Sequence, residues 1–136
     1  MKLLMIHCSR FAYKPTVKVL EDAADAEGNA EYDNILVAFI QAEADDENDL
    51  NGVEKKVVKN LKWACGKNNT RKVMLHSFAH LSDSKAGPDF TIELFKKAKE
   101  RLENAEYETF MTPFGYFLDL DMQAPGYSLA RIFKSF

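Results

Sequence analysis

Six consecutive apolar residues, Ile35-Leu36-Val37-Ala38-Phe39-Ile40, form the longest uninterrupted apolar run in the chain. Successive side chains of a strand point to opposite faces, so this run is apolar on both faces. It predicts a central strand covered by helices. As a helix it would fall far short of the ~20 residues that span a bilayer. The chain must therefore build a sheet and supply elements to cover it.

Those elements are readable on either side. Leu3-Leu4-Met5-Ile6 is a short buried strand, and Ser9 to Lys18 predicts a second one, held to an edge by Pro15. Glu21 to Asn29 reads as a frayed helix or a surface loop. After a turn-like stretch from Asp45 to Asn51, Leu50, Val53, Val57, Val58, Leu61 and Ala64 recur at helical spacing, with Gly66 as the stop. Val73-Met74-Leu75 is a buried strand leading into a loop from His76 to Gly87. Pro88 suits the first turn of a second helix, whose stripe is Phe90, Leu94, Phe95, Ala98 and Leu102. Tyr107–Met111 and Tyr116–Met122 predict a hairpin closed by Thr112-Pro113-Phe114-Gly115. Ser128 to Phe136 suits a short amphipathic helix or an extended tail. No repeat or linker divides the 136 residues, which predicts one domain over 1–136. Strands alternating with two main helices predict an α/β (α+β) fold on a mixed sheet.

Charge is unevenly placed. The net charge is −3, yet Glu21 to Asp49 holds 11 of the 21 acidic residues and none of the 18 basic ones. The remainder is basic, chiefly Lys55, Lys59 and Lys62 on the first helix and Lys96, Lys97, Lys99 and Arg101 on the second. Such lysines are either a solvated face or a surface that meets phosphates. The apolar start stops at His7, too early for a signal peptide, which predicts a cytoplasmic protein with no membrane segment. Cys8 and Cys65 lack CxxC spacing and read as reduced thiols.

Few residues point to chemistry unaided. His76 and His80 are four apart, but Ser77 stands where an HExxH helix has Glu, so no metal is expected. His80 follows a strand end, where open α/β sheets place their ligands. It reads as a base, a substrate-binding group or a plain loop residue. Cys8 beside His7 is either a nucleophile or a small packed residue. No P-loop, G-x-G-x-x-G or G-x-S-x-G occurs.

Four blocks, taken in order and spacing, say more: Leu3-Leu4-Met5-Ile6-His7, Ile35-Leu36-Val37-Ala38-Phe39, Ser77-Phe78-Ala79-His80-Leu81-Ser82 and Thr112-Pro113-Phe114-Gly115-Tyr116. Together they resemble the N-terminal editing domain of archaeal threonyl-tRNA synthetases, across essentially the whole chain. The resemblance implies a fold like that of D-aminoacyl-tRNA deacylase, usually dimeric. It also implies hydrolysis of the ester joining L-serine wrongly to the threonine tRNA, without metal or cofactor. A synthetic site for threonine rejects serine weakly, because one methyl is worth only ~1–3 kcal/mol, so a second, hydrolytic site is needed.

Carried over residue by residue, the resemblance implies a substrate pocket of Phe78, Ala79, His80, Phe114, Gly115, Tyr116 and Phe117, with His80 positioning the aminoacyl group. The implied partners are the aminoacylated 3′ end of a tRNA, met by Lys55, Lys59, Lys62, Lys96 and Lys97, and a second copy of the chain. A threonyl-tRNA synthetase lacking its own editing domain is a further implied partner. Three positions depart from the family. Where it commonly has Tyr-Lys, with a lysine important for activity, this chain has Phe117-Leu118. Its C-terminal Glu is replaced by Arg131 after Leu129-Ala130, and its early Ser-Asp by Cys8-Ser9. Arg131 is a candidate to replace the missing positive charge. The functional expectation is an editing deacylase, as a free-standing relative or an excised domain. The alternative is a catalytically impaired relative serving as a tRNA-binding, protein-binding or dimerisation module. A small-molecule esterase using Cys8 is a third reading.

Overall fold

A computed structural model describes residues 1–26 and 28–136; position 27, inside the segment expected to be a frayed helix or loop, lies outside the described residues. The strands are β1 (Lys2–Lys18), β2 (Ala30–Gln41), β3 (Lys72–Ser77), β4 (Glu108–Met111), β5 (Tyr116–Gln123) and β6 (Arg131–Ser135). The helices are α1 (Leu50–Lys67) and α2 (Pro88–Asn104). The sheet runs β4-β3-β2-β1-β5, with β6 also on β1. The β2–β3 and β3–β4 pairs are parallel, and the others are antiparallel. This is the expected α+β arrangement on a mixed sheet with two main helices. Among the described residues, no helix is long and apolar enough to cross a membrane.

The run Ile35–Ile40 is the buried centre of β2, but helices cover it on one side only. The β2-α1-β3 and β3-α2-β4 crossovers step the same way across the sheet, and the shared hand of such units puts both helices on one face. Leu36, Ala38 and Ile40 pack with Val57, Leu61, Leu94 and Leu102 there. On the other face Ile35, Val37, Phe39 and Met74 are enclosed by Leu4, Ile6, Tyr32, Phe78, Leu81 and Phe110. That face is sealed by aromatic side chains and the loop after β3.

Three further expectations are corrected. Residues 9–18 are not a separate strand but the outer half of a 17-residue β1. Pro15 is accommodated because β2 pairs no further than Tyr13, leaving β5 alone beside Pro15. Gly66 does not stop α1. The helix continues through Lys67, where the Asn68 side chain donates to the Ala64 carbonyl at 2.9 Å and Asn69 turns the chain at φ +51°. Of the two readings of Ser128–Phe136, the extended one holds: a 3-10 turn is followed by strand β6, paired with Lys2–Ile6.

The expected hairpin is also absent. Strand β4 lies parallel to β3 at one edge, and β5 lies on the outer half of β1 at the other. In a flat sheet those edges would stand about 19 Å apart. The chain from Met111 to Tyr116 reaches only roughly 17 Å. The sheet therefore curls, and the segment Thr112–Gly115 bridges its two edges.

Candidate functional site

The curl encloses a cavity of about 480 Å³ between that bridge, the loop 78–87 and the end of β1. Phe78, Ala79, His80, Phe114, Gly115, Tyr116 and Phe117 all line it. The two blocks lie more than 30 residues apart in sequence, and the parallel β3–β4 pairing brings their strand ends together. Leu118, Val19, Leu20 and Lys85 are also on the wall, as are His76 and Thr112.

The loop 78–87 is held from below by Gln41, the last residue of β2. Its side-chain oxygen accepts from the N–H groups of Leu81 at 2.6 Å and Ser82 at 2.9 Å, and its nitrogen donates to the carbonyls of Ser82 and Ser84. The Ser82 hydroxyl donates to Glu43 at 2.6 Å. The hydrogen bond from the N-terminal ammonium, then that from Ser82, lowers the Glu43 carboxyl to about 2. With Leu81 and Ser82 taken by Gln41, the N–H groups of Ala79 and His80 have no protein acceptor among the described residues. Two adjacent unpartnered donors at a cavity wall can bind a carbonyl oxygen or an oxyanion.

The two histidines separate by role. His76 is buried at the end of β3, where burial lowers its pKa to about 4, and its Nδ1 lies 2.9 Å from the Thr112 hydroxyl. It is a neutral structural group that ties β3 to the bridge. His80 is exposed, and the Phe78 ring lies between the two imidazoles, 6.0 Å from His76 and 5.1 Å from His80. Phe78 also stands edge-on to Phe39 at 5.1 Å, which seats the loop on the sheet.

The other wall is set by Gly115 and Tyr116. Gly115 has φ +87°, and a Cβ there would lie 2.8 Å from that of Ala23, so only glycine fits. Its carbonyl accepts from the N–H of Val19 at 2.8 Å. The Tyr116 hydroxyl donates to the Ala24 carbonyl at 3.0 Å and accepts from the Ala26 N–H at 3.2 Å. It is a bolt for the segment after β1, leaving its ring to the cavity.

Positive charge enters from an unexpected direction. Arg131 is not on the cavity wall; its guanidinium donates to the carbonyl of Pro125 at 2.7 Å and braces the turn before β6. Lys85 lines the cavity, whereas Leu118 presents an apolar side chain. Cys8 is fully buried, and its thiol is pushed up to about 11, mainly by burial, so it is no nucleophile at neutral pH. Among the candidate lysines, Lys55, Lys59 and Lys96 are exposed and Lys62 and Lys97 half-buried, on two helices that share one side of the sheet.

Sequence reasoning missed Gln41 and Lys85. A polar residue closing an apolar run at a strand's C-terminal end was the available signal for Gln41. Nothing in the spacing of Lys85 marked it.

A family model described as the archaea-specific editing domain of threonyl-tRNA synthetase matches residues 1–136. Threonine--tRNA ligase of Thermococcus kodakarensis is 30% identical over 138 residues, covering 99% of this chain and 22% of that protein. Its counterpart in Methanobrevibacter smithii is 28% identical over 137 residues, with the same coverage. The chain thus spans 22% of the length of these relatives. Among solved structures, one titled c-Myc DNA Unwinding Element Binding Protein superposes with a TM-score of 0.61 at 11% identity, covering 99% of this chain and 98% of that one. That likeness concerns the fold alone.

Proposed function

The chain belongs to the archaea-specific editing-domain family of threonyl-tRNA synthetase, and from that membership we propose that its cavity hydrolyses the ester of a mischarged tRNA, with L-serine on the threonine tRNA as substrate. The observation that carries this reading is the convergence of residues 78–80 and 114–117 on one cavity, with two N–H groups that have no protein acceptor among the described residues. The aminoacylated 3′ end enters the cavity, and the N–H groups of Ala79 and His80 receive the ester carbonyl oxygen. A water adds to the carbonyl carbon, the oxyanion is held by those donors, and the bond to the ribose oxygen breaks. Free serine leaves, and the terminal ribose regains its hydroxyl. His80, backed by Phe78, orients the aminoacyl group. Lys55, Lys59, Lys62, Lys96 and Lys97 meet the tRNA backbone, away from the acidic segment 21–49. The protein acts in the cytoplasm as a homodimer, and serves a threonyl-tRNA synthetase lacking its own editing domain.

Leu118 supports a second reading, a binding or dimerisation module with impaired hydrolysis, because it removes an ammonium from the cavity wall. Release of serine from Ser-tRNA(Thr), compared with Thr-tRNA(Thr) and D-aminoacyl-tRNAs, separates the two. Faster release of serine than of threonine is expected. Release no faster than spontaneous hydrolysis would overturn the enzyme and leave the module.

A further inference from the structure

We propose that the seam between α1 and β6 is a single-stranded RNA contact surface, where an unpaired base stacks on Trp63 and lysines on both elements hold the flanking phosphates. Trp63 is the chain's one tryptophan, and 44% of it is exposed. The Lys67 ammonium lies 5.8 Å from its ring centre, and that of Lys134, across the seam on β6, lies 5.6 Å away. Farther along, Lys56 stands 5.9 Å from the exposed ring of Phe136. Lys56, Trp63 and Lys67 fall on one side of α1, and the track from the first to the last is about 16 Å long. Both ammoniums stand over the ring. An incoming base takes their place on Trp63 while they turn to its flanking phosphates, so aromatic platform and cations receive base and backbone together.

Charge argues for this occupant over others. Helix α1 carries Lys55, Lys56, Lys59, Lys62 and Lys67, and its one carboxylate, Glu54, is buried against Arg101 at 2.6 Å. Among the described residues, none of these five lysines, nor Lys134, pairs with a carboxylate. Lys18, Lys72 and Lys99 do pair elsewhere on the molecule, and Lys2, beside β6 at Ser135, pairs with Glu43 outside the Trp63 contact. The acidic 3-10 turn Ala44–Asn48 precedes α1, so the contact is confined to the middle and C-terminal part of the helix. The surface extends the tRNA reading above, but it lies outside the cavity and is tested separately.

Because Trp63 is the sole tryptophan, its emission reports this site alone. The full chain is titrated with a 12-nucleotide single-stranded oligo(A) at low salt. Saturable quenching is expected, and the affinity should fall with added salt at a log–log slope of about 0.7 for each phosphate that a lysine neutralises. Trp63→Ala, followed by anisotropy of a labelled oligonucleotide, weakens binding roughly tenfold, while Trp63→Phe keeps most of it. Lys67→Ala with Lys134→Ala flattens the salt slope, and thermal melts check that each variant is folded. Equal quenching by polyglutamate, a polyanion without bases, would overturn the proposal. So would quenching by phosphatidylserine vesicles but not by the oligonucleotide, which would assign the face to a membrane. If the deacylase reading fails, ester hydrolysis is absent while oligo(A) binding persists. If this surface fails, quenching is absent whatever the ester assay shows.

Discussion

Gln41 bonds Ser82 twice, accepting from its N–H at 2.9 Å and donating to its carbonyl at 2.8 Å. A side-chain amide thus continues strand β2 by one backbone-like pairing and pins the cavity loop to the sheet. Gln41 is buried, so its loss leaves polar loop groups without partners.

Replacing Gln41 by Ala is expected to lower stability by about 2–3 kcal/mol, the scale for buried polar groups left unsatisfied. Amide exchange locates the effect: Leu81 and Ser82 should lose protection first, before the core of β2. Unchanged exchange at both would mean that the loop is held by other contacts.

The imidazole of His76 is buried, and its pKa is lowered to about 4 from an ordinary 6.5. Folding therefore disfavours its protonation. The stability this provides is fully present above pH 6.5 and is lost as pH falls towards 4. The whole loss is about 3 kcal/mol. Denaturant midpoints measured between pH 7 and 4 should show the decline in the native chain and a shallower one in His76→Gln. Parallel curves would refute it.

Gly115→Ala meets both a left-handed backbone and the Ala23 methyl. A loss of about 2 kcal/mol in thermal unfolding is expected from backbone strain alone. Adding Ala23→Gly removes the close contact without relieving the backbone. It should recover part of the loss; a double variant no more stable than the single one would place the whole cost in φ.

Lys85 and Leu118 both line the cavity, one with a cationic side chain and the other with a hydrocarbon one. If the cavity hydrolyses Ser-tRNA(Thr), Lys85→Ala should slow release at least tenfold, on the scale of removing one transition-state charge partner, with Lys85→Arg retaining more activity. Leu118→Lys should accelerate release. Single-turnover measurement of serine release reads all three, and rates indifferent to position 85 would remove Lys85 from the reaction.

The local elements and the site's two blocks were determined by the sequence itself. The stripes Val53–Ala64 and Phe90–Leu102 are helices because their periods match 3.6 residues, and Ile35–Ile40 is a central strand because nothing polar interrupts it. Tertiary structure decided what depends on partners distant in the chain. Tyr107–Met111 and Tyr116–Met122 have the pattern of a hairpin, yet their pairings with β3 and β1 separate them, and that separation opens the cavity. The C-terminal residues are a strand only because β1 offers an edge, and α1 runs past the Gly66 that was expected to stop it and ends at Lys67, before Asn69 turns the chain. Periodicity shows which side of an element is buried, but not which neighbour buries it. Gln41 beneath the loop, Lys85 at the wall and Arg131 away from it are facts of that second kind.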